Sequence, residues 1–199
     1  MTKLLVGLDI DEILAPFTEY FLPFYNSRNN TTFSSDDIHY FELERNFGGT
    51  GQEIISAIFD FYKTREFLEM PPVKDSQYGT NELKKRGYEL IAITSRPEKI
   101  EGLDLKELTL NWLEHYFPSA LSETHFTSEF VSNGHTVTKA DVCERFGVNV
   151  FVDDRYGYAK GCAQRGIKTL LYDCPWNRNK EMLPNMERVL SWEEILTKL

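Results

Sequence analysis

Cysteine is scarce in this chain, with only Cys143, Cys162 and Cys174. Their number is odd and their spacing wide, which fits neither a disulfide framework nor a zinc site. Reduced thiols in a cytoplasmic protein are the expectation. Histidine is also rare, and His39, His115, His125 and His135 show no metal-ligand spacing. No apolar run approaches the roughly 20 residues that span a bilayer, so no membrane association is expected. The chain enters a strand at once, without the charged, apolar and cleavage regions of a secretory signal. An excess of basic residues is missing too: 22 Lys and Arg stand against 31 Asp and Glu, a net charge of -9. That balance excludes a nucleic-acid polymer as partner, because phosphate backbones demand a basic face. It leaves room for a small anion held locally, and nothing in the sequence decides for or against a homodimer. Internal repeats and low-complexity stretches are absent as well.

What is present is enough apolar material for a sizeable core, 41% hydrophobic and 14% aromatic over 199 residues. Buried strands are predicted at Leu4 to Leu8, Tyr88 to Ile93, Val148 to Val152 and Lys168 to Tyr172, with a weaker one at Thr124 to Phe126. Helices are predicted at Tyr78 to Arg86, Leu105 to Tyr116, Lys139 to Phe146 and Tyr156 to Arg165. Three of these end at Gly87, Gly147 and Gly166. A last helix, Trp192 to Lys198, is opened by a capping box of Ser191 and Glu194. Alternating strands and helices imply an α/β fold with a Rossmann-like parallel sheet and right-handed crossovers. Residues 15–73 break the rhythm. They are crowded with phenylalanine and tyrosine, Ile54, Ile55, Ile58, Phe61 and Tyr62 fall at helical spacing, and Pro71-Pro72 stiffens the return. We expect a small helical cap at 15–73, inserted after the first strand into a core of residues 1–14 and 74–199. Its rings should mostly pack on one another, with a few facing a cleft.

The strand ends carry the chemistry. In the stretch from Lys3 to Asp11, Asp9 and Asp11 lie two apart on an extended strand, so their side chains share one face. At ~4 Å and an effective dielectric near 20 they repel by roughly 4 kcal/mol. A cation between them or a proton on one of them relieves this, and either suits an enzyme. After the second strand, Thr94 offers a hydroxyl to an anion. Ser95 with Glu98 fits a helix N-cap box as well as a ligand role, and Arg96 pairs with an anion or lies on the surface. Thr138 caps the next helix and sets Lys139 in its first turn, where a cation opposes the helix dipole unless an anion sits there. Asp153-Asp154 closes the following strand, with Asp154 a candidate cap for the helix near Tyr156 and Asp153 aimed beside Asp9. Three converging carboxylates call for Mg²⁺, which takes oxygen ligands.

Leu8-Asp9-Ile10-Asp11, Ile93-Thr94, Lys139 and Val152-Asp153-Asp154 resemble, in order and context, the four motifs of the haloacid dehalogenase superfamily. The insert resembles its C1-type caps. Thr94-Ser95-Arg96-Pro97, Trp112 to Pro118 and Pro175-Trp176-Asn177 are similar to stretches of the type C cytosolic 5'-nucleotidases, which include the 5'(3')-deoxyribonucleotidases. The resemblance implies a Mg²⁺-dependent phosphomonoester hydrolase acting on a small phosphorylated substrate, a nucleotide first of all. Asp9 would be the nucleophile, forming an aspartyl-phosphate, and Asp11 the acid and base. Thr94 and Lys139 would hold the phosphoryl oxygens, with Ser95 and Arg96 beside them. Asp9, the backbone carbonyl of Asp11, and Asp153 would bind the metal, supported by Asp154. One residue departs from the pattern: Glu12 stands where the family usually has glycine. Two other readings follow, a phosphatase of sugar phosphates or other metabolites, and a catalytically weak binder of a phosphorylated ligand.

Overall fold

In the computed structural model of the chain, residues 4–127 and 137–199 are described; Lys3 and His135 lie outside them. The chain opens with β1 (Leu5–Leu8), followed by α1 (Phe17–Asn29), α2 (Glu44–Phe47), α3 (Gly51–Phe61) and α4 (Arg65–Leu68). Next come α5 (Ser76–Lys85), β2 (Glu89–Thr94), β3 (Lys99–Ile100), β4 (Leu103–Asp104), α6 (Leu105–Tyr116) and β5 (Glu123–Phe126). Then follow α7 (Lys139–Phe146), β6 (Val150–Asp153), α8 (Tyr156–Gln164), β7 (Lys168–Tyr172), β8 (Met186–Val189) and α9 (Trp192–Lys198). No helix among the described residues is long and apolar enough to cross a membrane.

Six strands form one sheet in the order β5-β2-β1-β6-β7-β8, and every pairing is parallel. Both faces are covered, as parallel sheets require. Leu90, Ala92, Val150 and Val152 point into one core, while Ile91, Ile93 and Phe151 point into the other, against Ala140, Val142 and Cys143 of α7. The chain runs from β1 outward to β2 and β5, then returns to β6 and continues the other way. Strand order thus reverses between β1 and β6, where open α/β sheets place their ligand crevice. Leu8 lies opposite Val152, and the Asp9 N–H donates to the Val152 carbonyl at 2.9 Å. Asp9 and Asp153 therefore meet at the switch point.

The expected strands and helices form, with small shifts at their ends. Gly147 N–H donates to the Glu144 carbonyl at 3.2 Å and Val148 N–H to the Cys143 carbonyl at 2.8 Å. This is a Schellman closure, and it takes the N–H that would have started the next strand. The same pair of bonds recurs at Gly87-Tyr88 and Gly166-Ile167. The strand expected from Val148 starts after this closure, at Val150, and the one expected from Tyr88 starts at Glu89; at their other ends they include Asp153 and Thr94.

Two features differ more. No helix begins at Ser95-Glu98: Arg96 precedes Pro97, which disfavours the helical region in the residue before it. The chain instead forms the β3–β4 hairpin, with positive φ at Glu101 (40°) and Gly102 (82°), the twist a two-residue loop needs. Strand β8 is unexpected. As an edge strand it buries Met186 and Val189 while Glu187 and Arg188 stay partly exposed, so its apolar signal is thin.

The segment between β1 and α5 leaves and returns at one point, where Val73 N–H donates to the Leu14 carbonyl at 2.7 Å. Its rings pack on one another: Phe61 has neighbours Phe17, Phe21, Phe24 and Phe67 at centroid distances from 5.4 to 5.7 Å. Phe21, Ile54 and Phe61 also join the buried cluster of Val6 and Leu8, so the insert's interior is continuous with one face of the sheet. Beyond it, α5 crosses α9 at Gly79, where a Cβ would lie 2.2 Å from a ring carbon of Trp192. That close approach lets the Trp192 indole N–H reach the Ile13 carbonyl at 2.8 Å and pin the loop after β1.

Candidate active site

Asp9 after β1, Asp153 at the end of β6 and Asp154 beside it converge, with one carboxylate oxygen of each within 4.8 Å of the others. All three are buried. The Lys139 ammonium reaches Asp9 at 2.7 Å and Asp153 at 2.8 Å. Its place follows from the start of α7, where Thr138 accepts from Asp141 N–H at 3.1 Å in a capping box and turns Lys139 inward. Lys139 is 1% exposed, so its dipole-opposing position is offset by direct contact with anions. Burial alone lowers its pKa, but the carboxylates of Asp153 and Asp9 outweigh that and hold it above the ordinary lysine value. Asp9 is raised to about 8, mainly by burial and further by Asp153 and Asp11, against the pull of Lys139. Burial, then Asp153 and Asp9, also push Asp154 well above the carboxylate range. With all three ionised, the carboxylates facing one ammonium leave two negative charges for a cation to balance. An all-oxygen, doubly negative, buried donor set fits a hard divalent cation.

Asp11 is built differently. Its carboxylate accepts from Arg96 across 85 positions of sequence, Nε at 3.1 and 3.2 Å and Nη2 at 2.5 Å. Arg96 is 3% exposed, reaches Thr109 Oγ1 at 3.4 Å and lies 5.0 Å over the Phe67 ring, so it is no surface residue. Thr94 is fully buried, and its hydroxyl oxygen accepts from the Arg96 N–H at 3.1 Å. The next two residues, Ser95 and Arg96, line the cleft wall. Ser95 Oγ shares a hydrogen bond with Thr127 Oγ1 at 3.0 Å instead of capping a helix.

Asp154 does not cap α8 either. Arg155 occupies the cap position without a side-chain bond, and Arg155 N–H donates to Asp153 Oδ1 at 2.7 Å. Asp154 Oδ2 accepts from the Trp176 indole N–H at 2.9 Å.

A cavity of about 310 Å³ opens from these groups toward the insert. Phe17, Phe41, Ile54, Ile58 and Tyr62 line it from the insert, and Lys139, Arg155, Tyr158 and Trp176 from the sheet side. Arg155 stacks between the Phe41 ring at 4.1 Å and the Tyr158 ring at 4.3 Å. Glu12 also lines the cavity, at φ 63°, the left-handed region where glycine is at ease. Its Oε1 accepts from Thr18 N–H at 2.7 Å in the first turn of α1. Burial raises its carboxyl to about 7.

The sheet-edge groups are legible in the sequence because each follows an apolar run or, for Lys139, a helix cap residue. Sequence reasoning gave no role to Trp176, Tyr158 or Arg155. For Arg155 a signal existed, a base directly after two acids at a strand end. Nothing local marks Tyr158, whose part depends on packing across the cleft.

Residues 3–199 match the family described as 5' nucleotidase, deoxy (pyrimidine), cytosolic type C protein. A 5'(3')-deoxyribonucleotidase of Bacillus phage SPbeta is 25% identical over 198 residues, covering 99% of both chains. A nucleotidase of Clostridium acetobutylicum is 23% identical over 195 residues, covering 98% of this chain and 93% of its own. A solved haloacid dehalogenase-like family hydrolase from Streptococcus pneumoniae superposes with a TM-score of 0.67 at 13% identity, over 98% of each chain. At that identity the likeness is one of fold, and it agrees with the parallel sheet and insert described above. Since the family match runs through all four sheet-edge groups, the chain belongs to the cytosolic type C 5'-nucleotidases.

Proposed function

We propose that the protein is a Mg²⁺-dependent phosphomonoesterase of the cytoplasm that hydrolyses nucleoside monophosphates. Residues 15–73 serve as the cap over its cleft. The observation that carries this reading is the buried trio Asp9, Asp153 and Asp154, bridged by Lys139 and opening into an aromatic-lined cavity. That volume falls in the range of small-molecule sites, and rings on both walls suit a planar base.

Asp9, Asp153 and Asp154 would hold the ion together with the backbone carbonyl of Asp11. When bound, Mg²⁺ neutralises the charge gathering on the phosphoryl oxygens and keeps Asp9 ionised. Asp9 attacks phosphorus, and the bond to the leaving oxygen breaks as Asp11 gives that oxygen a proton. Asp11 then takes a proton from water, whose oxygen attacks the aspartyl-phosphate, releasing phosphate and restoring Asp9. Lys139 holds Asp9 in line and neutralises a phosphoryl oxygen, and Thr94, whose own O–H remains to donate, supplies a second contact. Arg96 keeps Asp11 aimed by its fork of bonds, and Ser95 completes the wall.

The test is turnover on a panel of nucleoside monophosphates and sugar phosphates, with and without Mg²⁺. We expect nucleotides to give the higher kcat/KM and Asp9→Asn to abolish turnover. Full Mg²⁺-dependent activity of Asp9→Asn excludes the mechanism, and a preference for sugar phosphates replaces the substrate class.

A further inference from the structure

The turn Pro175-Trp176-Asn177 has no part in the reaction described so far, yet everything around it leads to Asp154. Its Trp176 indole N–H donates to Asp154 Oδ2 at 2.9 Å. Asn177 Nδ2 donates to the Asp154 and Tyr172 carbonyls, each at 2.7 Å. Asn177 is in turn gripped by Arg188 of β8, whose Nη2 donates to the Asn177 carbonyl at 2.9 Å and whose Nη1 reaches Asp173 at 2.8 Å. The edge strand thus buttresses the turn, and the turn fixes both the backbone and the side chain of one member of the trio. On its other side the Trp176 ring faces the cavity and shares a buried cluster with Leu22 and Ile38 of the insert.

We propose that Trp176 is a positioning residue for the cation site: its indole N–H fixes Asp154 with Oδ1 turned to the ion, while its ring ties that carboxylate to the insert. Asp9 and Asp153 have Lys139 to orient them. Asp154 has no ion pair among the described residues, so a neutral donor does for it what the ammonium does for the others. Outer donors of this kind orient ligating groups, and their loss typically weakens metal affinity by about 10- to 100-fold. This inference rests on the reading that the trio holds a divalent cation.

The experiment is Mg²⁺ calorimetry without substrate on the parent chain and on Trp176→Phe, which keeps a ring and removes the donor. We expect the Kd to rise about tenfold or more. Equal affinities in the two proteins overturn the proposal alone. Absence of Mg²⁺ uptake by the parent chain overturns the metal reading and this inference with it.

A second measurement needs no variant. The indole N–H groups have three different partners: Trp112 donates to the Met70 carbonyl, Trp192 to the Ile13 carbonyl and Trp176 to Asp154. In a ¹⁵N-labelled sample titrated with Mg²⁺, the Trp176 indole resonance should shift saturably while the other two stay in place. A stationary Trp176 resonance at full Mg²⁺ occupancy refutes the role.

Discussion

At the sheet edge, the groups facing the cleft are buried charges at hydrogen-bond distance, Lys139 lying 2.7 and 2.8 Å from Asp9 and Asp153. On the insert, they are mostly rings and aliphatic chains, among them Phe17, Phe41, Ile54, Ile58 and Tyr62, with Glu42 and Glu44 beside them. The first set is placed by strand register, since Leu8 pairs with Val152 and the next residue on each strand is an aspartate. Register admits no half-steps, because a slip of one residue turns every side chain to the other face. The second set is placed by packing, which tolerates a change of shape at modest cost when volume is kept. One wall of the cleft therefore fixes a reaction, and the opposite wall can change what enters it.

Removing the central charge is the hardest blow to that division. Lys139→Met keeps most of the stem's volume and leaves Asp9 and Asp153 buried without a counter-charge. Breaking a buried pair in this way costs about 3–5 kcal/mol, so urea unfolding of the metal-free protein should show a much lower midpoint. Added Mg²⁺ should restore part of the loss, because a ligand bound only by the folded state stabilises it by mass action. An unchanged midpoint would mean that the carboxylates do not depend on the ammonium.

A change inside the insert should be milder. Phe61 contacts four rings and is fully buried. Phe61→Leu keeps an apolar group there and should cost roughly 1–2 kcal/mol. Turnover of a small generic ester such as p-nitrophenyl phosphate should stay within about threefold, as register leaves the sheet edge in place. Loss of that turnover with folding intact would show that the two walls are not separable.

The sheet edge was legible because its information is local. Asp9, Lys139 and Asp153 each follow an apolar run or a cap residue, and the parallel class puts such ends side by side. The contacts that tune these groups are not local. Arg96 reaches Asp11 across 85 positions and Trp176 reaches Asp154 across 22, and no spacing rule links either pair. Ser95 with Glu98 looked like a helix cap, but Pro97 between them favoured an extended path and a hairpin. The insert's rings were visible as a composition, while their division between interior and cleft depends on how α1 and α3 lie together.

Glu12 stands at the joint between the two regions, and its titration decides which of them it belongs to. Its N–H donates to the Ala15 carbonyl at 2.7 Å, and its carboxylate holds the Thr18 N–H at the start of α1. Burial raises its pKa from 4.5 to about 7, and the Thr18 bonds oppose that without cancelling it. Between those two values the folded chain binds more protons at Glu12 than the unfolded chain does. Stability therefore falls as pH rises through this window, and the deficit is complete above about 7. Glu12→Gln keeps an oxygen for Thr18 and removes the charge. The variant should match the parent at pH ~4 and exceed it at pH ~8 by about 1–2 kcal/mol, the full shift being reduced by solvent screening of a part-exposed group. Thermal unfolding of both proteins across that range checks this. Curves that stay parallel throughout would mean the carboxyl titrates as an ordinary surface acid and the joint is wet. Curves that diverge from about pH 5 upward would place Glu12 with the buried charges of the sheet edge, although its carboxylate is held by Thr18 of the insert.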